Sequence, residues 1–449
     1  MRILLRALTG ALISVMVISA WAGPQGRFSL SQASFVSPDY DLTEKKDFQF
    51  ISAGIDSLSG LKSESEIPDT LQAQIRGMMS PGASVLNYLD VSQLYWKAQL
   101  LSVGRKKINW SLLDENFGLG IYQPQFKWNS LQSDSQGLTG IFLHLENDQD
   151  LAWALTLFGS PLFIPNQGAG YEIRDGHFEN TNPYFQSPPP TAQVNDQTVD
   201  IQYEVQKPST DEVIYHQSFA GQGILGDPAR GASAQLAFAQ KPMNELSLGF
   251  RGVAVPGRKI EAQVLPVVTN HNVVSGETRY SFKRWSVGLS ALQDTPQDPK
   301  FDMPWTSALY APSTLVSPYL EVRLFGAELL LAALSVEGGE ASYQGPQAAQ
   351  AGDILPARYP FRNAGLLRLN YQFRLKRNQN IALQTRYLRG AQGEFDFWSS
   401  TLAYQWQERW AVQMTTQLVA VQPVDPAFKT IYHSYPDNDL VAFGVSYVF

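Results

Sequence analysis

The amino-acid sequence predicts an all-β protein, folded as a single closed transmembrane barrel of about eighteen antiparallel strands. Three observations support this fold class. Aromatic residues make up 12% of the 449 residues and charged residues only 17%. Runs in which apolar and polar side chains alternate recur along the chain, and this period of two places one face of a strand in an apolar medium. Beyond the N-terminal segment, no run reaches the roughly 18 apolar residues of a membrane-spanning helix.

The composition excludes several classes of protein and site. There is no cysteine, so a disulfide framework, a Cys-based zinc site and a cysteine nucleophile are all excluded. Lys plus Arg number 34 and Asp plus Glu number 41, so the formal net charge is -7 and a nucleic-acid partner is not expected. The isolated histidines lack metal-ligand spacing, and no metal or other cofactor is expected.

The first 22 residues have the pattern of a secretory signal peptide. Arg2 and Arg6 precede an apolar run over residues 7–20, and small residues follow at Ala20 and Ala22. The run is too short to span a membrane comfortably, so cleavage after residue 22 and export are expected. Residues 23–47 are interpreted as a polar lead-in of uncertain structure, and the barrel is predicted over residues 48–449.

Alternation is clearest in the C-terminal third of the chain. In residues 364–375, leucine and aromatic side chains face one way and Arg368, Asn370, Gln372 and Arg374 face the other. In residues 410–421, Trp410, Val412, Met414 and Leu418 oppose glutamine and threonine. A polar second face is compatible with a water-filled lumen if the apolar face contacts lipid.

The number of strands follows from the alternating runs. Nineteen runs are candidates, but bacterial barrels formed by one chain have even strand numbers. The run 259–269 contains Pro266, which cannot donate to a strand ladder, and omitting it gives eighteen strands. Sixteen strands would require two further assignments to be wrong. The predicted strands start near residues 48, 71, 92, 138, 151, 198, 212, 231, 245, 278, 285, 316, 327, 364, 381, 396, 410 and 440. Long connections then share one side, at 104–137, 159–197, 255–277, 293–315, 337–363 and 421–439.

The C-terminus carries the most specific motif. Large apolar residues occupy alternate positions from Val441, and the chain ends in Gly444-x-x-Tyr447-x-Phe449. This segment resembles the insertion signal of Gram-negative outer-membrane β-barrels. The resemblance implies location in the bacterial outer membrane, with the lipid bilayer and the barrel-assembly machinery as partners. It also implies short periplasmic turns and long extracellular loops. A soluble edge strand is the alternative interpretation.

Basic side chains on the polar faces are candidates for lining a pore. They are Arg76, Lys97, Arg251, Arg323, Arg368, Arg374 and Arg386. Guanidinium groups in a confined wet lumen would concentrate anions and repel cations, and their fork can bind both oxygens of a carboxylate. The alternative is that these residues pair with carboxylates from loops and only fill the lumen.

The predicted loop 159–197 is a candidate constriction. It is the third extracellular loop of the eighteen-strand count, and the third loop of Gram-negative porins folds inward and narrows the pore. By this resemblance the constriction would include Tyr171, Glu172, Arg174, Asp175 and Glu179. The alternative is a surface loop that contributes to stability or to contacts within a homo-oligomer.

The whole pattern is similar to substrate-selective porins and to exporters of acidic polysaccharide. It predicts a non-enzymatic, porin-like channel for passive diffusion of small solutes, with anions favoured if the basic face is unpaired. Two alternatives stay open. One is a closed barrel that acts as scaffold, adhesin or assembly partner through its loops, since residues 326–336 are apolar on both faces and need a cover. The other is an outer-membrane phospholipase, since His216-x-Ser218 has the spacing of a base and its nucleophile. This sequence departs from that family, because both side chains would point into the lumen and Phe219-Ala220 replaces its Asn-Gly.

Overall fold

The computed structural model describes most of the chain after residue 24. The described residues are 25–36, 47–57, 70–81, 86–147, 152–179, 182–185, 187–194, 196–255, 259–301, 305–347, 357–376, 379–406, 409–423 and 429–448. The predicted signal peptide lies outside them and stays a prediction.

Eighteen strands of the described part of the chain form one antiparallel sheet that closes on itself. In chain order they are β1 (Gln25–Phe35), β2 (Asp47–Ser57), β3 (Thr70–Met79), β4 (Tyr88–Ala98), β5 (Leu101–Lys106), β6 (Leu138–Asn147), β7 (Trp153–Ser160), β8 (Ser218–Asp227), β9 (Arg230–Pro242), β10 (Asn270–Ser281), β11 (Trp285–Pro296), β12 (Ser313–Leu324), β13 (Ala327–Gly338), β14 (Ala364–Lys376), β15 (Gln379–Gly390), β16 (Phe395–Gln405), β17 (Trp410–Val421) and β18 (Leu440–Val448).

The barrel closes where its first and last strands meet. β1 pairs with β2 on one side and with β18 on the other, in both cases antiparallel. Because every neighbouring pair is antiparallel, the connections alternate between the two ends of the barrel. The longest connections all follow odd-numbered strands, so they lie at the same end of the barrel, which we call the long-loop end. The opposite side, the short-turn end, includes the two-residue turns 99–100, 228–229 and 325–326.

The wall has an apolar outer face and a more polar inner face, as the alternation predicts. In β17 the exposed side chains are Trp410, Val412, Met414 and Leu418, whereas Gln417 is buried. Outward aromatic and aliphatic side chains of this kind are stable against lipid, and the closed ladder leaves no unpaired strand edge in the membrane. The predicted closed barrel of eighteen strands is therefore confirmed.

Four strand assignments need correction, although the total is right. The sequence pattern assigns the residues of β1 to the lead-in, so the predicted barrel start at residue 48 is one strand too late. The same pattern does not separate β5 from β4, because the turn at Gln99 has a φ of 42° without the Gly, Asn or Asp that usually marks such a turn. Conversely, the predicted strands near residues 198 and 245 lie outside the barrel. Two omissions and two additions cancel.

The two extra strands belong to a second sheet at the long-loop end, which we call the loop sheet. Its strands, in spatial order, are Thr191–Val194, Gln197–Val205, Lys259–Val267, Ser247–Val255, Thr306–Tyr310 and Ala341–Gln344. Omission of residues 259–269 from the barrel is confirmed. Alternation in Gln197–Val205 is real, but its inward face packs on Phe250 and Ala262 instead of lining a lumen. A local period of two cannot distinguish these surroundings.

The remaining elements are short. The strands are Gln125–Lys127, Asp134–Ser135, Gln167–Gly168, Glu172–Arg174 and His177–Glu179. In the part of the chain that the structure describes, the α-helices are α1 (Leu112–Phe117) and α2 (Thr210–Ile214), and 3-10 helices cover Ala391–Gly393 and Ile431–Ser434. No helix within the described ranges is long and apolar enough to cross a membrane.

Candidate functional site in the barrel lumen

The connection between β5 and β6, residues 107–137, folds into the barrel, and we call it the crossing loop. Its side chains Trp110, Leu113, Phe117 and Tyr122 are almost completely buried. Helix α1 begins after Ser111, whose hydroxyl accepts a hydrogen bond from the Asp114 amide, and it ends at Gly118 with φ 64°. A segment with this many buried apolar residues would not be stable as a surface loop.

The crossing loop contacts the wall first at β8, β9 and β10. Gln235 Nε2 donates to the Trp110 carbonyl (2.9 Å). The Tyr122 hydroxyl shares a hydrogen bond with Ser275 Oγ (2.8 Å) and reaches the Ala237 carbonyl. These partners are inward-facing residues of the wall, so this part of the loop lies inside the lumen.

The crossing loop then reaches the far side of the lumen. Gln417 of β17 donates to Gln132 Oε1 (2.6 Å), and Ser399 of β16 donates to the same atom (3.1 Å). Arg76 of β3 pairs with Asp134 (2.5 Å). Since β9 and β17 are eight strands apart in a ring of eighteen, the loop spans almost the full width of the barrel.

The inner face of β13, which the sequence left without a partner, is buried. The inward leucines of β13, Leu330 and Leu334, belong to one buried cluster with Leu113 and Phe117 of the crossing loop. Phe117 also packs edge-on against Phe361. The inward apolar side chains of the run 326–336 are therefore buried inside the barrel, in the same apolar cluster as residues of the crossing loop.

Two adjacent carboxyl groups of α1 have different surroundings. The Asp114 carboxylate accepts hydrogen bonds from the amides of Ile121 (3.0 Å) and Tyr122 (2.8 Å), which fixes the turn after the helix. Burial nevertheless raises the pKa of Asp114. Burial, together with the neighbouring Asp114 charge, raises the pKa of Glu115 to about 7, although Gln123, Lys107 and Arg368 oppose the shift.

Two of the seven predicted pore-lining residues lie side by side next to the crossing loop. Arg368 of β14 and Arg386 of β15 are direct cross-strand partners. Arg386 Nη2 donates to the Phe117 carbonyl (3.2 Å). Arg386 Nε is buried and has no hydrogen-bond partner among the described residues. Two guanidinium groups directly opposite each other are unfavourable unless negative charge is close.

The other basic candidates have different environments. Arg76 pairs with Asp134 of the crossing loop, and Arg323 pairs with Glu321 and Glu328. Lys97 and Arg374 are exposed at positions nearer the short-turn end. The placement of Arg251 needs correction, because this residue lies in the loop sheet, on strand Ser247–Val255, and not on the barrel wall.

The predicted constriction residues do not line the part of the lumen occupied by the crossing loop. The hairpin Glu172–Glu179 packs against the loop sheet: the Gly176 carbonyl accepts from the Tyr203 amide (2.7 Å), and Phe178 packs edge-on against Tyr203. Tyr171 packs on Phe178 and Phe185. Arg174 pairs with Glu172 and Glu179, and Asp175 has φ 50° in the turn. When β1 and β5 are counted as barrel strands, the third connection at the long-loop end is 107–137, the crossing loop.

A buried polar cluster, which we call the anchor network, holds the crossing loop and the long loop after β13. Lys241 Nζ donates to Asn244 Oδ1 (2.8 Å) and lies 3.5 Å from the Ile121 carbonyl. Asp294 binds His271 Nδ1 (2.7 Å) and the guanidinium of Arg358. In the sequence His271 looks isolated, because its partners are 23 or more residues away and form no recognisable motif with it. The anchor network could therefore not be predicted.

Three further predicted features can be located. Gly444 and Tyr447 lie on β18 at the seam of the barrel, and Tyr447 packs against Trp410 (4.9 Å between ring centroids). Phe449 lies outside the described residues.

His216 precedes β8 and its Nε2 lies 2.7 Å from the Glu212 carbonyl, while Ser218 is buried as the first residue of β8. Within the described ranges, no cluster of three metal-ligating side chains occurs.

Comparisons with known proteins give likenesses in structure alone. No protein-family model matches the chain, and no curated protein matches it in sequence. OccK2 (OpdF) of Pseudomonas aeruginosa, solved in complex with glucuronate, is 11% identical, with a TM-score of 0.47 and coverage of 95% of this chain and 96% of that one. The outer membrane protein opdK of the same species is 11% identical, with a TM-score of 0.45 and coverage of 95% and 99%. OccAB4 of Acinetobacter baumannii is 12% identical, with a TM-score of 0.43 and coverage of 95% and 98%.

Proposed function

We propose that the protein is a channel of the Gram-negative outer membrane for passive diffusion of small solutes, with a preference for anions. The observation that carries this proposal is the pair Arg368 and Arg386, side by side on the inner wall where the crossing loop narrows the lumen. The wall of a narrow lumen has a low dielectric constant, so fixed guanidinium groups on it raise the local concentration of anions. The short-turn end would face the periplasm.

Neutralising the pair should reduce anion preference. In planar bilayers under a potassium chloride gradient, we expect stable conductance steps and a reversal potential that favours chloride. Arg368→Gln with Arg386→Gln should lower the chloride-to-potassium permeability ratio by about twofold or more, because the fixed positive potential of the lumen is removed.

Arg251→Gln is the matched control for this experiment. It removes a basic side chain that the sequence also predicted as pore-lining, but from the loop sheet, so the permeability ratio should stay at the wild-type value. A ratio that falls in the control and not in the double variant would contradict the proposal.

The anion preference should also depend on pH through Glu115. Its pKa is raised to about 7, so the carboxyl is mostly neutral at pH 6 and mostly charged at pH 8. Loss of this negative charge beside Arg368 makes the lumen more positive, and chloride selectivity should rise as the pH falls from 8 to 6. Glu115→Gln should give high selectivity at both values. Equal pH dependence in wild type and Glu115→Gln would assign the effect to another group.

One observation favours the second candidate function, a closed barrel that serves as scaffold or assembly partner. The crossing loop contacts opposite walls, and its Trp128 packs on Tyr184, which in turn packs on Phe35 of β1. Protein that migrates as a folded, heat-modifiable barrel yet shows no conductance would support this candidate and refute the channel.

A further inference from the structure

The turn between β10 and β11 carries an exposed basic and aromatic surface at the short-turn end. Tyr280, Phe282 and Trp285 are 41–47% exposed and their rings form a row: Tyr280 is tilted against Phe282 (4.6 Å between centroids), and Phe282 stacks on Trp285 (3.8 Å). Lys283 and Arg284 between them are exposed, and neither has an ion-pair partner within the described residues. The turn thus presents two unneutralised cations beside an apolar platform.

The two neighbouring turns extend this surface. The Ser281 hydroxyl donates to the Pro228 carbonyl (2.8 Å), which brings exposed Arg230 alongside. On the other side, the Arg323 amide donates to the Arg284 carbonyl (2.7 Å), which brings in the turn at Phe325. Phe325 is 92% exposed with φ 49°, a conformation that is rare for a bulky residue. The exposed ring of Phe325 adds a further aromatic group to this surface, so a partner of the surface would contact aromatic as well as basic side chains.

Charge and position point to the chemistry of that partner. The whole chain has a net charge of -7, yet this surface has three cations and one acid, Asp227, whose Oδ1 accepts from the Ala229 amide. The aromatic rings lie at the ends of strands whose outer faces are apolar, the level at which Trp and Tyr meet the membrane–water interface. Cations at this level are close to lipid phosphates.

We propose that this surface binds an anionic glycerophospholipid of the leaflet at the short-turn end. Lys283 and Arg284 would contact the phosphate and the aromatic row would contact the glycerol and upper acyl region. The proposal rests on the membrane placement given above, but not on channel activity. Binding measurements therefore test it independently of conductance.

Native mass spectrometry of the mature barrel in detergent gives a direct test. Dioleoyl phosphatidylglycerol and dioleoyl phosphatidylcholine are titrated separately, and heat-modifiable migration verifies folding of every variant. The wild type should bind phosphatidylglycerol at least about fivefold more tightly, because each interfacial cation contributes to attraction of an anionic headgroup. Lys283→Gln with Arg284→Gln should abolish this preference while binding of phosphatidylcholine stays unchanged.

Lys259→Gln with Lys300→Gln is the matched control. It also removes two positive charges, but from exposed positions at the long-loop end, so the preference for phosphatidylglycerol should stay at the wild-type value. The proposal is overturned if the wild type does not distinguish the two lipids, if the Lys283 and Arg284 variant keeps the preference, or if the control loses it equally. An equal loss of preference in the control would show that the net charge of the protein, and not this surface, causes the preference for phosphatidylglycerol.

Discussion

Removing the crossing loop should produce the largest change in conductance. Lys106 and Leu138 are direct cross-strand partners, so a short Gly-Ser turn can replace residues 107–137 without changing the strand register. A barrel of eighteen strands is wide enough to hold an aqueous channel when nothing fills it. We expect single-channel conductance to increase about threefold or more, because the segment that spans the lumen is absent.

The matched control deletes the hairpin Glu172–Glu179, which packs on the loop sheet. Its removal should leave conductance unchanged. Both deletion variants should still show heat-modifiable migration, which verifies that the barrel is closed. If the hairpin deletion raised conductance and the crossing-loop deletion did not, the constriction would lie in 159–197, as the sequence suggests.

Loss of the Asp294 charge should have the largest effect on stability. Asp294 is fully buried and binds His271, Arg358 and the Tyr359 hydroxyl (2.9 Å). Burial alone would lower the pKa of Arg358, but the Asp294 carboxylate, together with Tyr359 and Glu245, raises it, so Arg358 stays charged. Asp294→Asn leaves this cation unpaired, and we expect the free energy of unfolding to fall by about 3–5 kcal/mol in urea titrations.

Two companion variants make this result interpretable. Asp294→Asn combined with Arg358→Met removes both charges, and most of the lost stability should return, because an apolar replacement of a buried ion pair is often nearly neutral. Glu340→Gln breaks the exposed pair with Arg362 and should leave the unfolding midpoint unchanged. A double variant as unstable as Asp294→Asn would show that hydrogen bonding to His271 and Tyr359, and not charge, holds the anchor network.

Local pattern predicted much of the wall of the barrel. Alternation in β14 and β17 assigned the outer and inner faces correctly, and the outward Trp410 and Val412 are exposed as expected. Pro266 correctly removed Lys259–Val267 from the barrel. These properties depend on neighbouring residues, because successive side chains of a strand point to opposite faces.

Local pattern was insufficient where strands or turns lack the usual signals. β1 alternates Phe28 and Leu30 with serine, and then continues outward with Gln32, so its apolar face is short. The turn at Gln99 has no residue type that marks a turn. Gln197–Val205 alternates as well as any wall strand, because packing against a loop-sheet core requires the same one-sided apolar face.

The sequence by itself therefore determined the closed barrel and the side on which the long loops lie, whereas its count of eighteen strands is right because two omitted and two added strands cancel. Only the tertiary structure decided which loop enters the lumen and which arginines it meets. The physical reason is the range of the interactions. The crossing loop is held by pairs such as Gln132 with Gln417 and Ile121 with Lys241, which are 285 and 120 residues apart. A period of two within one strand contains no information about such partners.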